Sequence, residues 1–175
     1  MSIDWSILHW VRDVLTCPFL DFLMPKLTLL SNGGAVWLLA AGGLLCTKKY
    51  RRQGLLLFGG LAVGALVGNV CLKNFIARPR PCWLDSSVRL LIADPTDYSF
   101  PSGHILSSVI GATILTKTGR RFGYAAIPLA ALIAFSRLYL YVHFPSDVLA
   151  AAVLGVMIGE LAFYADRRWT ERRGT

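Results

Sequence analysis

Three short segments hold most of the residues in this sequence that could do chemistry: KNFIARPRP at 73–81, PSGH at 101–104 and SRLYLYVHFPSD at 136–147. Between them they supply Lys73, Arg78, Arg80, His104, Arg137, His143 and Asp147. This is an inventory for an anion. Arginine offers a planar fork of donors that matches phosphate oxygens, and lysine adds a compact charge. Ser102 and Gly103 stand where a helix starts behind Pro101, so free backbone N–H groups and the helix dipole favour a phosphate there. Two histidines add what phosphoryl transfer needs beyond positioning, a nucleophile and a proton donor. Asp147 follows His143 by four positions; the two share a face if the turn is helical, and otherwise a bend at Pro145 can return the carboxylate to the imidazole. Either way a carboxylate on one ring nitrogen sets the tautomer and frees the other. No carboxylate cluster suited to Mg²⁺ or Zn²⁺ accompanies these groups, so metal-free chemistry with no cofactor is expected.

The elements that must position them are membrane helices. Of 175 residues 55% are hydrophobic and only 16% charged, far from the soluble average. A span needs roughly 20 mostly apolar residues. Stretches at about 19–47, 53–77, 122–142 and 145–165 meet this, with a shorter one at about 103–117, which gives an all-α polytopic bundle of five spans. The first holds Pro25, Lys26 and a Ser31-Asn32-Gly33-Gly34 break, so it is expected to be long, tilted or kinked. Pro128 is expected to kink the fourth. The chain reads as a single domain over 1–175, with a tail at 167–175 and a membrane bundle at 19–166.

Residues 1–16 precede the bundle. Ile3, Ile7, Trp10, Val11, Val14 and Leu15 fall on one helical face, with Asp4, Arg12 and Asp13 mainly on another. That pattern fits an amphipathic helix in the membrane interface and equally a packed cap on the bundle. Its early charges leave no unbroken apolar core for a cleavable signal peptide. Cys17, Cys46, Cys71 and Cys82 show no metal-ligand spacing and read as small packing residues.

The net charge of +8 does not point to nucleic acid, because the cations fall in short loops between apolar runs. Lys48, Lys49, Arg51 and Arg52 separate the first two spans; Lys117, Arg120 and Arg121 separate the third and fourth; Arg167, Arg168, Arg172 and Arg173 follow the fifth. With five spans all three clusters share one side, which the positive-inside rule assigns to the cytoplasm. The three chemical segments then meet on the extracytoplasmic side of a cell membrane.

Each candidate has a bland reading by itself. Lys73 can snorkel, Arg78 and Arg80 can anchor to headgroups, His104 can be a solvated cap, Arg137 can balance Asp147, and Asp147 can sit favourably in a first helical turn. All of these must hold together on one membrane face, where ionisable groups are costly enough that function is the default.

The order and spacing resemble a known family. Lys73 followed seven positions later by Arg80-Pro81, then Pro101-Ser102-Gly103-His104, then Ser136-Arg137 with His143 and Asp147 six and ten positions after the arginine, is similar to the three-part signature of the type 2 phosphatidic acid phosphatase superfamily. The resemblance implies that His143 attacks phosphorus to form a phosphohistidine, that Asp147 orients it, and that His104 protonates the leaving oxygen and then activates water. It implies that Lys73, Arg80, Ser102, Gly103 and Arg137 hold the phosphate. Arg78 lies outside the pattern and is expected as a second phosphate or headgroup contact. The implied partners are the bilayer and a lipid phosphate, with undecaprenyl diphosphate preferred and phosphatidylglycerophosphate, phosphatidic acid and lipid A phosphates as alternatives. Vanadium haloperoxidases share the signature but are soluble, which the spans here oppose. A lipid-phosphate binding or transport protein would need the cations but not a histidine oriented by a carboxylate.

Overall fold

The computed structural model describes residues 2–173, and among them every regular element is helical. Helix α1 (Ile3–Leu15) is followed by α2 (Pro18–Leu30), which starts on a proline suited to a first turn. A 3-10 turn at Asn32–Gly34 separates α2 from α3 (Ala35–Cys46). Gly33 and Gly34 have φ of 59° and 75°, so the break needs residues without a Cβ. The two segments bend by 43°, as the Ser31–Gly34 sequence led us to expect.

The next helix runs as α4 (Arg51–Gly64), a π-helical stretch (Ala65–Leu72) and a short α5 (Lys73–Ile76). Ala77 leaves it in a left-handed conformation, after which Pro81 opens the single turn α6 (Pro81–Leu84). An irregular segment at 85–102 leads to α7 (Gly103–Thr118), α8 (Arg120–Tyr139) and α9 (Pro145–Arg173).

Among the described residues three helices are long and apolar enough to cross a membrane, Arg51–Leu84, Arg120–Tyr139 and Pro145–Arg172, and the bent α2–α3 pair would be a fourth. The fifth expected span is the 16-residue α7. Being shorter than a span, α7 earns its stability from protein rather than lipid: it packs on α4, α8 and α9 and buries Ile105, Leu106, Ile110, Ile114 and Leu115. Phe19, Leu39, Leu55, Leu66, Phe75, Tyr124, Leu149 and Leu161, by contrast, lie exposed on the outer helices, as side chains facing lipid would. Cys46 and Cys71 are on that exposed surface too, contrary to their expected packing role.

Close approach at the centre depends on Gly111. A Cβ there would lie 2.4 Å from Trp37 Cε3, and Trp37 is itself 1% exposed and donates from Nε1 to Ser108 Oγ at 3.0 Å. Gly111→Ala should therefore push α3 off α7 at a cost of about 1–3 kcal/mol, read as a lowered Tm of the protein in detergent.

α1 packs Leu8 and Val11 inward, with Trp5 against Tyr141 and Phe144, while Ile3, Ile7, Trp10 and Val14 stay exposed. The expected single apolar face is thus divided between bundle and surroundings. At the far end of α4, Arg52 donates to Asp166 Oδ1 at 2.7 Å and also to Thr170. The basic ends of α4 and α9 therefore meet, opposite the ends that carry Lys73 and Asp147.

Candidate active site

The site begins with the turn between α8 and α9. Tyr141 has φ of 59°, a left-handed conformation that a side chain with a Cβ adopts only when its surroundings enforce it. Its ring is 1% exposed beside Trp5 and His9, and its hydroxyl donates to Asp85 at 3.1 Å. The reversal places His143 inward, 1% exposed and facing the motif residues of the other two segments.

The hydrogen bonds of His143 define its tautomer. Arg80 Nη1, which can only donate, lies 3.2 Å from Nε2, so Nε2 carries the lone pair. The proton is then on Nδ1, which faces Ser99 Oγ at 3.4 Å and Asp147 Oδ2 at 3.8 Å. Ser99 donates in turn to Asp147 Oδ2 at 2.5 Å. A relay thus runs from the Nδ1–H through a serine hydroxyl to a buried carboxylate. Burial, joined by the charges of Arg80 and Arg137, lowers the imidazole pKa, so the ring is neutral near pH 7.

Asp147 is fully buried, and both oxygens of its carboxylate accept hydrogen bonds. Oδ2 also accepts from the Phe144 N–H at 2.9 Å, and Oδ1 accepts from Arg78 Nη1 at 2.5 Å. Because α9 starts at Pro145, His143 lies outside the helix, and the Pro145 bend rather than a shared helical face brings the pair together.

Arg78 is placed elsewhere than the expected headgroup contact. It turns behind Asp147, bonds Ser146 Oγ at 2.7 Å and Asp4 Oδ2 at 2.8 Å, and lies 4.1 Å over the Phe144 ring. It does not line the cavity in front of His143.

That cavity, about 580 Å³, is lined at its polar end by Lys73, Arg80, Gly103, His104, Arg137 and His143. Its other walls are mainly apolar, including Leu38, Phe58, Leu61, Ala65 and Leu106, and the α2–α3 break borders it. Irregular backbone at membrane depth is tolerated where it lines such a space. A Cβ at Gly103 would lie 2.6 Å from Asn69 Oδ1, so the start of α7 approaches the π-helical stretch closely and a side chain there would displace the Asn69 amide.

Two buried donors at this end have no protein partner: Ser102 Oγ and Arg137 Nε. Arg137 is 4% exposed and its Nη1 donates to Thr28. Buried donors left unpaired are costly, and an anion with several oxygens is the ligand class that satisfies them. Lys73 and Arg80 are also buried, and both are bonded to Asp97. Burial alone would raise the Asp97 pKa, but the bonds to Lys73 and Arg80 hold it down to about 2. These ion pairs are present above the ordinary carboxylate range and are lost only as pH falls through about 2.

Asp97, Ser99 and Thr28 were not read from the sequence, and Asp4 was read only as a charge on the first helix and not as a neighbour of the site. Asp97 and Ser99 come from the irregular segment just before PSGH, where an acidic or hydroxyl side chain is unremarkable until the chain folds. Among the described residues no group of three His, Cys, Asp or Glu side chains is placed to hold a metal ion.

The fold and site together define a class: helical proteins with membrane-length apolar helices and a cationic, histidine-bearing cavity at one end. Within that class, the chain belongs to the PAP2 superfamily, whose family profile matches residues 53–171. It is 36% identical over 128 residues to the undecaprenyl-diphosphatase of Sulfolobus acidocaldarius, a match covering 73% of this chain and 62% of that protein's length. In three dimensions it resembles Aquifex aeolicus LpxE with a TM-score of 0.81 at 24% identity, covering 94% of this chain and 96% of the other. That likeness concerns the fold. It also resembles a transmembrane PAP2-type phosphatidylglycerolphosphate phosphatase from Bacillus subtilis, with a TM-score of 0.75 and 27% identity over 94% of this chain and 85% of the other.

Proposed function

We propose that the protein is an integral membrane lipid phosphatase that removes the terminal phosphate of a lipid diphosphate or monophosphate through a phosphohistidine. The observation that carries this reading is the orientation of His143, with its Nδ1 side against Ser99 and Asp147 and its Nε2 lone pair toward Arg80 at the cationic end of the cavity. A mere anion-binding site has no use for that arrangement.

In the reaction, the substrate phosphate takes donors from Lys73, Arg80, Arg137, Ser102 Oγ and the Gly103 N–H. Arg80 exchanges its bond to His143 for a phosphate oxygen, and Nε2 attacks phosphorus as the bond to the leaving oxygen breaks. His104, at the start of α7, gives that oxygen a proton. A water then attacks the phosphohistidine, losing its proton to His104, and the P–N bond breaks to release inorganic phosphate and restore both histidines. Asp147 stabilises the positive charge that develops on the ring. The step needs no metal, so EDTA is expected to leave the rate unchanged.

The apolar walls of the cavity suit a lipid tail lying between helices. Undecaprenyl diphosphate is the preferred substrate, supported by the relationship to the Sulfolobus enzyme of that name. The Bacillus likeness supports a second substrate reading, phosphatidylglycerophosphate. On a five-crossing topology, with α7 as a short, protein-wrapped fifth, the positive-inside rule favours a cytoplasmic location for the basic ends of α4 and α9 and a site outside it. On this topology the exposed stripe of α1 lies in the outer interface while its other face caps the bundle.

The test is phosphate release by purified protein in detergent from a panel of undecaprenyl diphosphate, phosphatidylglycerophosphate, phosphatidic acid and lipid A phosphates. Highest kcat/KM on undecaprenyl diphosphate is expected. A glycerolipid turned over faster would overturn the substrate assignment, and binding without release would overturn the enzyme reading.

A further inference from the structure

Asp97 holds two of the three cations that face His143. Its carboxylate takes Arg80 Nη2 at 2.7 Å through Oδ1 and Lys73 through Oδ2, and it lines the same cavity as His104 and Arg137. The two cations are nearly inaccessible, at 8% and 3% side-chain exposure, but the Asp97 side chain is 55% exposed. Its backbone is pinned separately: Arg80 Nε donates to the Asp97 carbonyl at 2.7 Å, and Ser99 N donates to the Arg78 carbonyl at 2.8 Å. The carboxylate can therefore rotate into water without moving the segment that carries Ser99. Until it does, the donors proposed to hold phosphate are occupied by an anion of the protein's own.

We propose that Asp97 is a specificity-determining residue: a tethered carboxylate that a doubly charged terminal phosphate displaces from Lys73 and Arg80 and that a singly charged phosphodiester does not. This rests on the phosphatase reading of the site. A phosphomonoester carries about −1.5 to −2 charges at pH 7 and three acceptor oxygens, so it gains more from Lys73, Arg80 and Arg137 than a carboxylate does. A diester carries a single negative charge and two free oxygens. It offers the cations no more than Asp97 already gives them, and Asp97 is at the high effective concentration of an intramolecular ligand. The bilayer around the protein consists largely of phosphodiester headgroups, so a site without such a competitor would be filled by them. Asp97 stays ionised far below neutral pH, so the exclusion holds across the working range.

The probes are methyl phosphate and dimethyl phosphate, which differ by one methyl and one charge, with binding to full-length protein in phosphate-free detergent read by ³¹P line broadening. For the wild type, methyl phosphate should bind and dimethyl phosphate should not at the same concentration. Asp97→Asn should tighten dimethyl phosphate at least about tenfold, the factor by which a closed state populated nine parts in ten weakens a ligand. Asp97→Glu, which keeps the charge, should restore exclusion. Equal binding of both probes by the wild type, or an unchanged ratio in Asp97→Asn, would overturn the proposal. Failure of both probes to bind the wild type would instead sink the phosphate-site reading beneath it. If Asp97→Asn does not fold, carbodiimide labelling of Asp97 in the wild type decides: methyl phosphate should increase labelling, and unchanged or reduced labelling would count against displacement.

Discussion

His143→Ala is expected to abolish phosphate release, lowering kcat by about 10⁵- to 10⁶-fold, the range seen when a nucleophile that acts with its partners is removed. That corresponds to about 7–8 kcal/mol of transition-state stabilisation. The protein should remain folded, because the partners of His143 keep other bonds. Arg80 still donates to the Val142 carbonyl at 2.7 Å, and Ser99 still donates to Asp147. Inorganic phosphate should still bind, since the cations and the start of α7 are untouched. Residual turnover within about tenfold of wild type would remove His143 from the nucleophile's role, while lost phosphate binding would show that the ring holds the cavity's shape.

The second large effect is expected for Asp147→Asn. All three donors around the carboxylate point at it: Ser99 Oγ and Phe144 N at Oδ2, Arg78 Nη1 at Oδ1. An amide must turn its NH₂ toward one side or the other, so a donor faces a donor whichever way it settles. The ring then loses the anion that favours the Nδ1–H tautomer, and kcat should fall by about 10³- to 10⁴-fold with little change in KM. Stability should drop by about 1–3 kcal/mol as a buried donor goes unpaired. Arg78 retains Asp4, which limits the loss. A fall in Tm with unchanged kcat would make Asp147 a structural residue alone.

The main apolar helices were legible as runs of apolar residues, and the α2–α3 break as Gly33-Gly34. The shortness of α7 and its wrapping by protein were not, because α7 is apolar for a different reason from α4 or α9. Its residues face other helices, and hydrophobicity along a sequence does not distinguish burial in protein from burial in lipid. The cysteines erred the same way: Cys46 and Cys71 lie in apolar runs but on the outer surface. Arg78 shows a related limit. Two residues from Arg80, it carries the same charge and flanks the same kind of proline, yet it points to the back of Asp147 while Arg80 points to the front of His143.

What the sequence by itself determined is the chemistry available: the types and order of Lys73, Arg80, Ser102, Gly103, His104, Arg137, His143 and Asp147, and the apolar helices on which they ride. Only the tertiary structure decided how those groups are engaged. It inserted Ser99 between His143 and Asp147, set Asp97 on Lys73 and Arg80, and tied Asp4 of the first helix to Arg78 behind the site. The physical reason is that helical periodicity and spacing are local properties, readable along the chain. Pairing among buried charges depends on which residues the packing brings within about 3 Å, where desolvation makes each partner count. Asp97 lies 24 positions from Lys73 and Asp4 lies 74 from Arg78, separations at which the sequence carries no pattern to read.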